Sequence, residues 1–166
     1  MFDLTPALDL PKSELYAELA SAAAALVDGE PDSIANMANV AAAISQFVPD
    51  LNWAGFYRVI RREVGGEGEL VLGPFIGKPA CIRIPMGQGV CGTAAASGET
   101  QIVPDVHAFP GHIACDAASR SELVVPVVKA GQVVAVIDLD SPTPGRFDED
   151  DAAGMARIAE IAARAI

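Results

Sequence analysis

The sequence predicts an α+β fold, a central antiparallel sheet with N- and C-terminal helices packed on one face, and three observations carry that prediction. Helical periodicity occupies both ends of the chain, period-two alternation fills two hairpin-like segments between them, and no repeat or inter-domain linker interrupts the order. The chain of 166 residues is therefore read as a single domain over residues 1–166, long enough to bury a sizeable core.

After Pro11, the segment KSELYAELASAAAALVDGE places Leu15, Leu19, Ala22 and Leu26 at helical spacing and stops at Gly29. Asp32 is placed to cap a second helix, in which Ile34, Met37, Ala41, Ile44 and Phe47 recur on one face before Pro49. From Leu51 the period changes to two. LNWAGFYRVI and ELVLGPFIG read as strands joined through the turn-rich RREVGGEGE. A short strand around Ile82 to Ile84 precedes GQGVCGTAAASGE, whose glycines bracket a short helix. An irregular stretch from Thr100 to about Arg120 follows, containing His107 and His112. ELVVPVVKAGQVVAVIDLDS reads as a second hairpin turning near Ala130 and Gly131. The last segment, FDEDDAAGMARIAEIAARAI, opens on acids suited to a helix N-terminus and turns Met155, Ile158, Ala162 and Ala165 inward.

Charge and composition narrow the function classes. Hydrophobic residues make up 51% of the chain and the formal net charge is −11, with a sequence pI of about 4.4. Such an exterior repels nucleic acid and anionic membrane surfaces. No apolar run approaches the ~18 residues of a membrane span, and MFDLTPALDLPKSE lacks the basic start and apolar stretch of a signal peptide. The expected address is cytoplasmic. Three cysteines do not make a secreted disulfide framework.

Those cysteines are the first candidates for chemistry. Cys81, Cys91 and Cys115 are ten and twenty-four positions apart, without the close pair of a zinc site, so no metal is expected. Cys115 lies in FPGHIACDAASRSELVV, a run too polar and small-residued for a core strand, with Arg120, His112 and His107 near in sequence to stabilise a thiolate. Cys91 reads equally as a buried structural cysteine or a functional one. Cys81, beside Lys78 and Arg83, is a candidate resolving partner.

Asp138 and Asp140 are two apart on a strand and share a face with Val134 and Val136, while Val133, Ala135, Ile137 and Leu139 take the other. Taken alone, Asp-Leu-Asp reads first as a strand end entering solvent at SPTPG; the alternative is a close pair that shares a proton at neutral pH, which equips one to act as an acid. Glu122 joins them only through the hairpin register. A plain two-residue turn at Ala130 and Gly131 puts Glu122 opposite Leu139, on the wrong face; a longer turn or a bulge puts it opposite Asp140. Trp53 and Tyr57 share a strand face with Gly55 between them leaving open space, and are core residues unless a pocket forms there. GQGVCG lacks the Lys-Ser/Thr of a phosphate-binding loop. His107 and His112, five apart, suit hydrogen bonding within their loop.

Taken together, NWAGFY, LGPFIGKPACIRIP, GVCGTAAASGETQIVPDVHAFPGHIACDAASRSELVVP and VIDLDSP resemble the free methionine-R-sulfoxide reductases, stand-alone GAF-domain enzymes that act on the R sulfoxide of the free amino acid. The likeness covers roughly residues 52–150, including the order and spacing of all three cysteines. It implies a GAF-like domain with Cys115 as nucleophile, left as a sulfenic acid when methionine departs. It further implies that Cys81 resolves this species as a disulfide and that thioredoxin reduces the disulfide. Cys91 matches a cysteine near the substrate and is the alternative resolving thiol.

By the same likeness, Glu122, Asp138 and Asp140 match acids that bind the sulfoxide oxygen and supply a proton. Trp53 and Tyr57 match pocket aromatics, the indole face suiting the terminal methyl group. No cofactor is implied, because the electrons come through thiols, and a homodimer is common for the fold. Gln88 stands where many members carry a basic residue, and Met86 where an aromatic or aliphatic one is usual. A ligand-sensing GAF module and a redox-sensing interaction protein are the competing readings; consumption of substrate separates the enzyme from both.

Overall fold

The computed structural model describes residues 10–61, 68–111 and 116–166. His112, Cys115 and most of the link expected between the first two strands lie outside the described residues. The elements run α1 (Lys12–Val27), α2 (Ser33–Phe47), β1 (Trp53–Arg61), β2 (Gly68–Gly77), β3 (Arg83–Pro85), α3 (Gly89–Ser97), β4 (Gln101–Val103), β5 (Ser121–Lys129), β6 (Gln132–Ser141) and α4 (Glu149–Ala165). A single antiparallel sheet has the order β3-β2-β1-β6-β5-β4.

The sheet is buried on both faces. Ala54 and Phe56 of β1, Leu123, Val125 and Val127 of β5, and Ala135, Ile137 and Leu139 of β6 pack under α1, α2 and α4. The alternate residues Trp53, Tyr57, Val124 and Val136 face the other way, under α3 with Val90, Cys91 and Ala94. The N- and C-terminal helices therefore share one face as expected, and the short central helix covers the opposite one. No described helix is long and apolar enough to cross a membrane.

Local chemistry accounts for the helix ends. The Asp32 side chain accepts the Ala35 N–H at 2.8 Å. Asp148 accepts the N–H groups of Asp150 and Asp151, and Asp151 Oδ2 accepts the Asp148 N–H in return, a reciprocal capping box. Two sequence expectations are corrected. Ile34 is 45% exposed, because the buried stripe of α2 runs through Met37, Val40, Ile44 and Phe47 and leaves it to the side. The stretch from Thr100 to Arg120 is less irregular than expected: Gln101–Val103 pairs with β5, and Val106–Ala108 is a short 3-10 helix.

Register is the feature on which the site depends. Lys129 pairs with Gln132 across a two-residue turn whose Ala130 and Gly131 both have positive φ, 50° and 75°, the combination of a type I′ hairpin. Beyond Val128↔Val133 the register shifts, so that Val127 pairs with Ala135 and Glu122 with Asp140. The extra residue is Val134. This bulge corrects the simple alternation: Val133 packs on the α3 face and Val134 on the helical face.

Asp151, fully buried, joins α4 to α1. It accepts hydrogen bonds from Tyr16 Oη (2.8 Å), Lys12 Nζ (2.6 Å) and Arg146 Nη1 (3.2 Å), and two cations offset the cost of burying its charge. Burial, then the Asp151 charge, pushes the Tyr16 hydroxyl well above its ordinary range. Gly154, one turn along α4, lies against the Tyr16 ring: a Cβ built there falls 2.2 Å from Tyr16 Cγ. Gly154→Ala is expected to destabilise the protein by about 1–3 kcal/mol in spite of alanine's better helix propensity. Urea unfolding checks this, and an unchanged or raised midpoint would remove the packing argument.

Candidate active site

Three cross-strand rows on the α3 face assemble the acids. Trp53 pairs with Asp140 and Asp140 with Glu122; in the next row Gly55 pairs with Asp138 and Asp138 with Val124; Tyr57 and Val136 form the third. The β6 bulge thus places Glu122, Asp138 and Asp140 together on adjacent strands. Cys91, in the first turn of α3, descends on them from above, and Gly92 permits the close seat, since a Cβ there would stand 2.5 Å from the Pro85 carbonyl oxygen.

Burial dominates the electrostatics. Glu122 and Asp138 are each only 6% exposed. Desolvation, followed by the charge of the neighbouring acids, pushes both carboxyls well above the usual range. Asp140 is raised to about 6, chiefly by burial, against a hydrogen bond from Ser119 that favours its ionised form. The Cys91 thiol is also pushed well up, first by burial and then by Asp138 and Glu122, and it hydrogen-bonds Asp138. Burial therefore biases Glu122 and Asp138 toward their protonated forms. Asp138 Oδ1 is buried without a hydrogen-bond partner, an unsatisfied acceptor within the cluster.

The aromatics build the wall and fix a loop. Trp53 stacks with Tyr57 at 5.9 Å and with Phe75 at 5.2 Å between ring centroids. The space expected at Gly55 is taken by Phe75, whose Cβ would stand 2.4 Å from a Cβ built on the glycine. Trp53 Nε1 donates to the Lys78 carbonyl (3.1 Å) and Tyr57 Oη to the Cys81 carbonyl (3.0 Å). The half-buried Cys81 is thereby held on the loop after β2, next in sequence to Ala80, which lines the cavity.

Residues without a role in the sequence analysis complete the cavity. Asp116 receives hydrogen bonds from Lys78 Nζ (3.1 Å), Asn52 Nδ2 (3.2 Å) and the Ala118 N–H (2.9 Å). The Ala118 amide, then Lys78, holds its carboxyl below the ordinary value. Asn52 also donates to Ser119 Oγ at 3.0 Å, and Ser119 in turn hydrogen-bonds Asp140. An aspartate two residues before its amide donor in DAAS is an Asx-turn signature; its tertiary partners leave no local trace. Gly89 and Val90, which open α3, also line the cavity, and Gln88 supplies no side-chain cap, so the partial positive charge of the helix N-terminus lies beside the space. His107 and Arg120 meet at 3.1 Å, and Arg120 also donates to the Ala117 and Ser119 carbonyls, which agrees with a loop-holding role for His107.

Buried acids, the Lys78 cation, the first turn of α3 and the rings of Trp53 and Tyr57 line one cavity, which suits a small polar ligand with a proton-accepting group. Comparison with known proteins agrees. The GAF domain family model matches residues 33–166. The free methionine-R-sulfoxide reductase of Escherichia coli is 48% identical over 147 residues, covering 89% of this chain and 86% of that protein. The enzyme of the same name from Saccharomyces cerevisiae is 42% identical, covering 92% and 86%. The X-ray structure of free methionine-R-sulfoxide reductase from Neisseria meningitidis in complex with its substrate superposes with a TM-score of 0.86 at 42% identity, covering 93% of this chain and 90% of that one. This chain belongs to the GAF-domain family of free methionine-R-sulfoxide reductases.

Proposed function

We propose that this chain reduces free L-methionine (R)-S-oxide to methionine, with Cys115 as nucleophile, Cys81 as resolving thiol and thioredoxin as the dithiol that restores both. The observation that carries the reading is the buried cluster of Glu122, Asp138 and Asp140 gathered on adjacent strands beside Cys91, whose carboxyls burial pushes upward. A sulfoxide oxygen is a poor leaving group until protonated, and a buried acid whose proton is held more tightly than usual is suited to supply that proton.

The Cys115 thiolate attacks the sulfoxide sulfur while an acid of the cluster protonates the oxygen. The oxygen then passes from the substrate sulfur to Cys115: the transient sulfur–sulfur bond and the substrate's sulfur–oxygen bond both break, a sulfur–oxygen bond forms on Cys115, methionine leaves with the sulfur lone pair, and Cys115 is left as a sulfenic acid. The Cys81 thiol then displaces water to form a disulfide, and an incoming dithiol reduces it to two thiols. In this scheme Cys91 remains a protonated thiol lining the substrate site. The α3 amides and Lys78 receive the substrate carboxylate, and the acidic side of the cavity receives its ammonium group.

The direct test offers the reduced protein the R and S epimers of free methionine sulfoxide and a peptide containing the R sulfoxide, with dithiothreitol as reductant. Turnover of the free R epimer alone is expected; no methionine from any of the three would end the enzyme reading. Cys81→Ser is expected to keep the first turnover and lose steady-state cycling with thioredoxin. Normal cycling would move the resolving role to Cys91.

A further inference from the structure

The proposed cycle leaves Cys91 without a redox step, yet its thiol is enclosed among acids. Cys91 Sγ, one Glu122 oxygen and one Asp138 oxygen lie within 4.8 Å of one another. Asp138, only 6% exposed, hydrogen-bonds Cys91 and Glu122 and keeps a buried oxygen, Oδ1, with no hydrogen-bond partner. The three residues stand on separate rigid elements, α3, β5 and β6, and the cavity opens beside them past Trp53 and Asp140.

One sulfur and two carboxylate oxygens form the mixed donor set of a thiophilic divalent cation rather than of Mg²⁺ or Ca²⁺, which demand six or more oxygens. A tetrahedral ion bonded at about 2.3 Å to sulfur and about 2.0 Å to oxygen holds its ligand atoms roughly 3.3–3.5 Å apart. The three atoms, already within 4.8 Å of one another, need draw in by little more than an ångström to reach that spacing. All three residues line the cavity, which leaves room for a fourth ligand. Cysteine spacing along the chain gives no sign of such a site, because two of the three ligands are carboxylates brought in by the sheet.

We propose that Zn²⁺ or Cd²⁺ binds here through Cys91 Sγ and one oxygen each of Glu122 and Asp138, the thiol proton and whatever protons the two carboxyls carry passing to buffer, and that the ion and the substrate exclude one another. Binding of the ion stands on geometry alone; the exclusion rests on the reductase reading.

The test uses the Cys81→Ser/Cys115→Ser protein, whose remaining thiol is Cys91, titrated with Cd²⁺ and followed by cadmium–thiolate charge-transfer absorption. A band that saturates at one ion per chain is expected. Adding Glu122→Gln or Asp138→Asn is expected to weaken binding at least roughly 10- to 100-fold, the range already seen for loss of an outer partner, with far-UV circular dichroism confirming the fold. No band, or a band whose affinity ignores both carboxylate substitutions, would overturn the site and leave adventitious thiol binding. Free methionine (R)-S-oxide, which this variant is expected not to consume, should raise the apparent Kd for Cd²⁺ in proportion to its occupancy. Undiminished Cd²⁺ binding at saturating sulfoxide would overturn the exclusion. Failure of the sulfoxide to bind in a separate cadmium-free calorimetric titration would count against the reductase reading instead.

Discussion

The Cys115→Ser protein is expected to release no measurable methionine in a single turnover with free L-methionine (R)-S-oxide, a loss of at least about 10⁴-fold. Thiolate, and not thiol, is the nucleophile in sulfoxide reduction. Cys91 is badly placed for that part, because burial and the neighbouring acids hold it protonated. Cys81 sits on the loop after β2, which Trp53 and Tyr57 tether by its carbonyls. Cys115 adjoins Asp116, which lines the cavity and is fixed by Lys78 and Asn52. Serine at 115 keeps the size of the side chain and removes an ionisable sulfur. Rapid quenching of prereduced protein mixed with substrate reads the outcome, and retained release would transfer the nucleophilic role to another thiol.

The parts of this molecule legible in its sequence are those whose cause is local. Asp32 and the acids after Phe147 announce helix starts because a cap is satisfied within three residues. Ala130-Gly131 announces a hairpin because both positions take positive φ. The acid cluster is different. Its assembly depends on one unpaired residue, Val134, in a run of valines without a glycine or proline to mark the bulge. Strict alternation sends Glu122 to the wrong face, and only pairing against β1 and β5 together shows that both faces of β6 are filled. Asp116 escaped notice for a related reason: its partners lie 38 and 64 positions away. The stacking of Phe75 over Gly55 likewise belongs to the β1–β2 register, where a second bulge falls.

Asp140→Asn is expected to lower the rate of methionine release by about 10²–10⁴-fold, the usual worth of a positioned general acid, with little change in KM. The same substitution is expected to stabilise the fold at neutral pH. Burial raises the folded-state carboxyl from 3.8 to about 6, so between those values the folded chain holds a proton that the unfolded chain has released. Stability contributed by the neutral acid is therefore full below the unfolded value and falls as pH climbs through the folded one. Two units correspond to up to about 3 kcal/mol, or roughly 6–10 °C in a domain of this size. Asparagine keeps the shape without the charge, so the difference in Tm between variant and native chain should be largest above pH 6 and vanish near pH 3. A gain that persists at pH 3 would trace the effect to packing rather than charge. Slow release joined to a pH-dependent gain in Tm would show that the chain retains this acid at a cost in stability, as expected of a group kept for proton transfer.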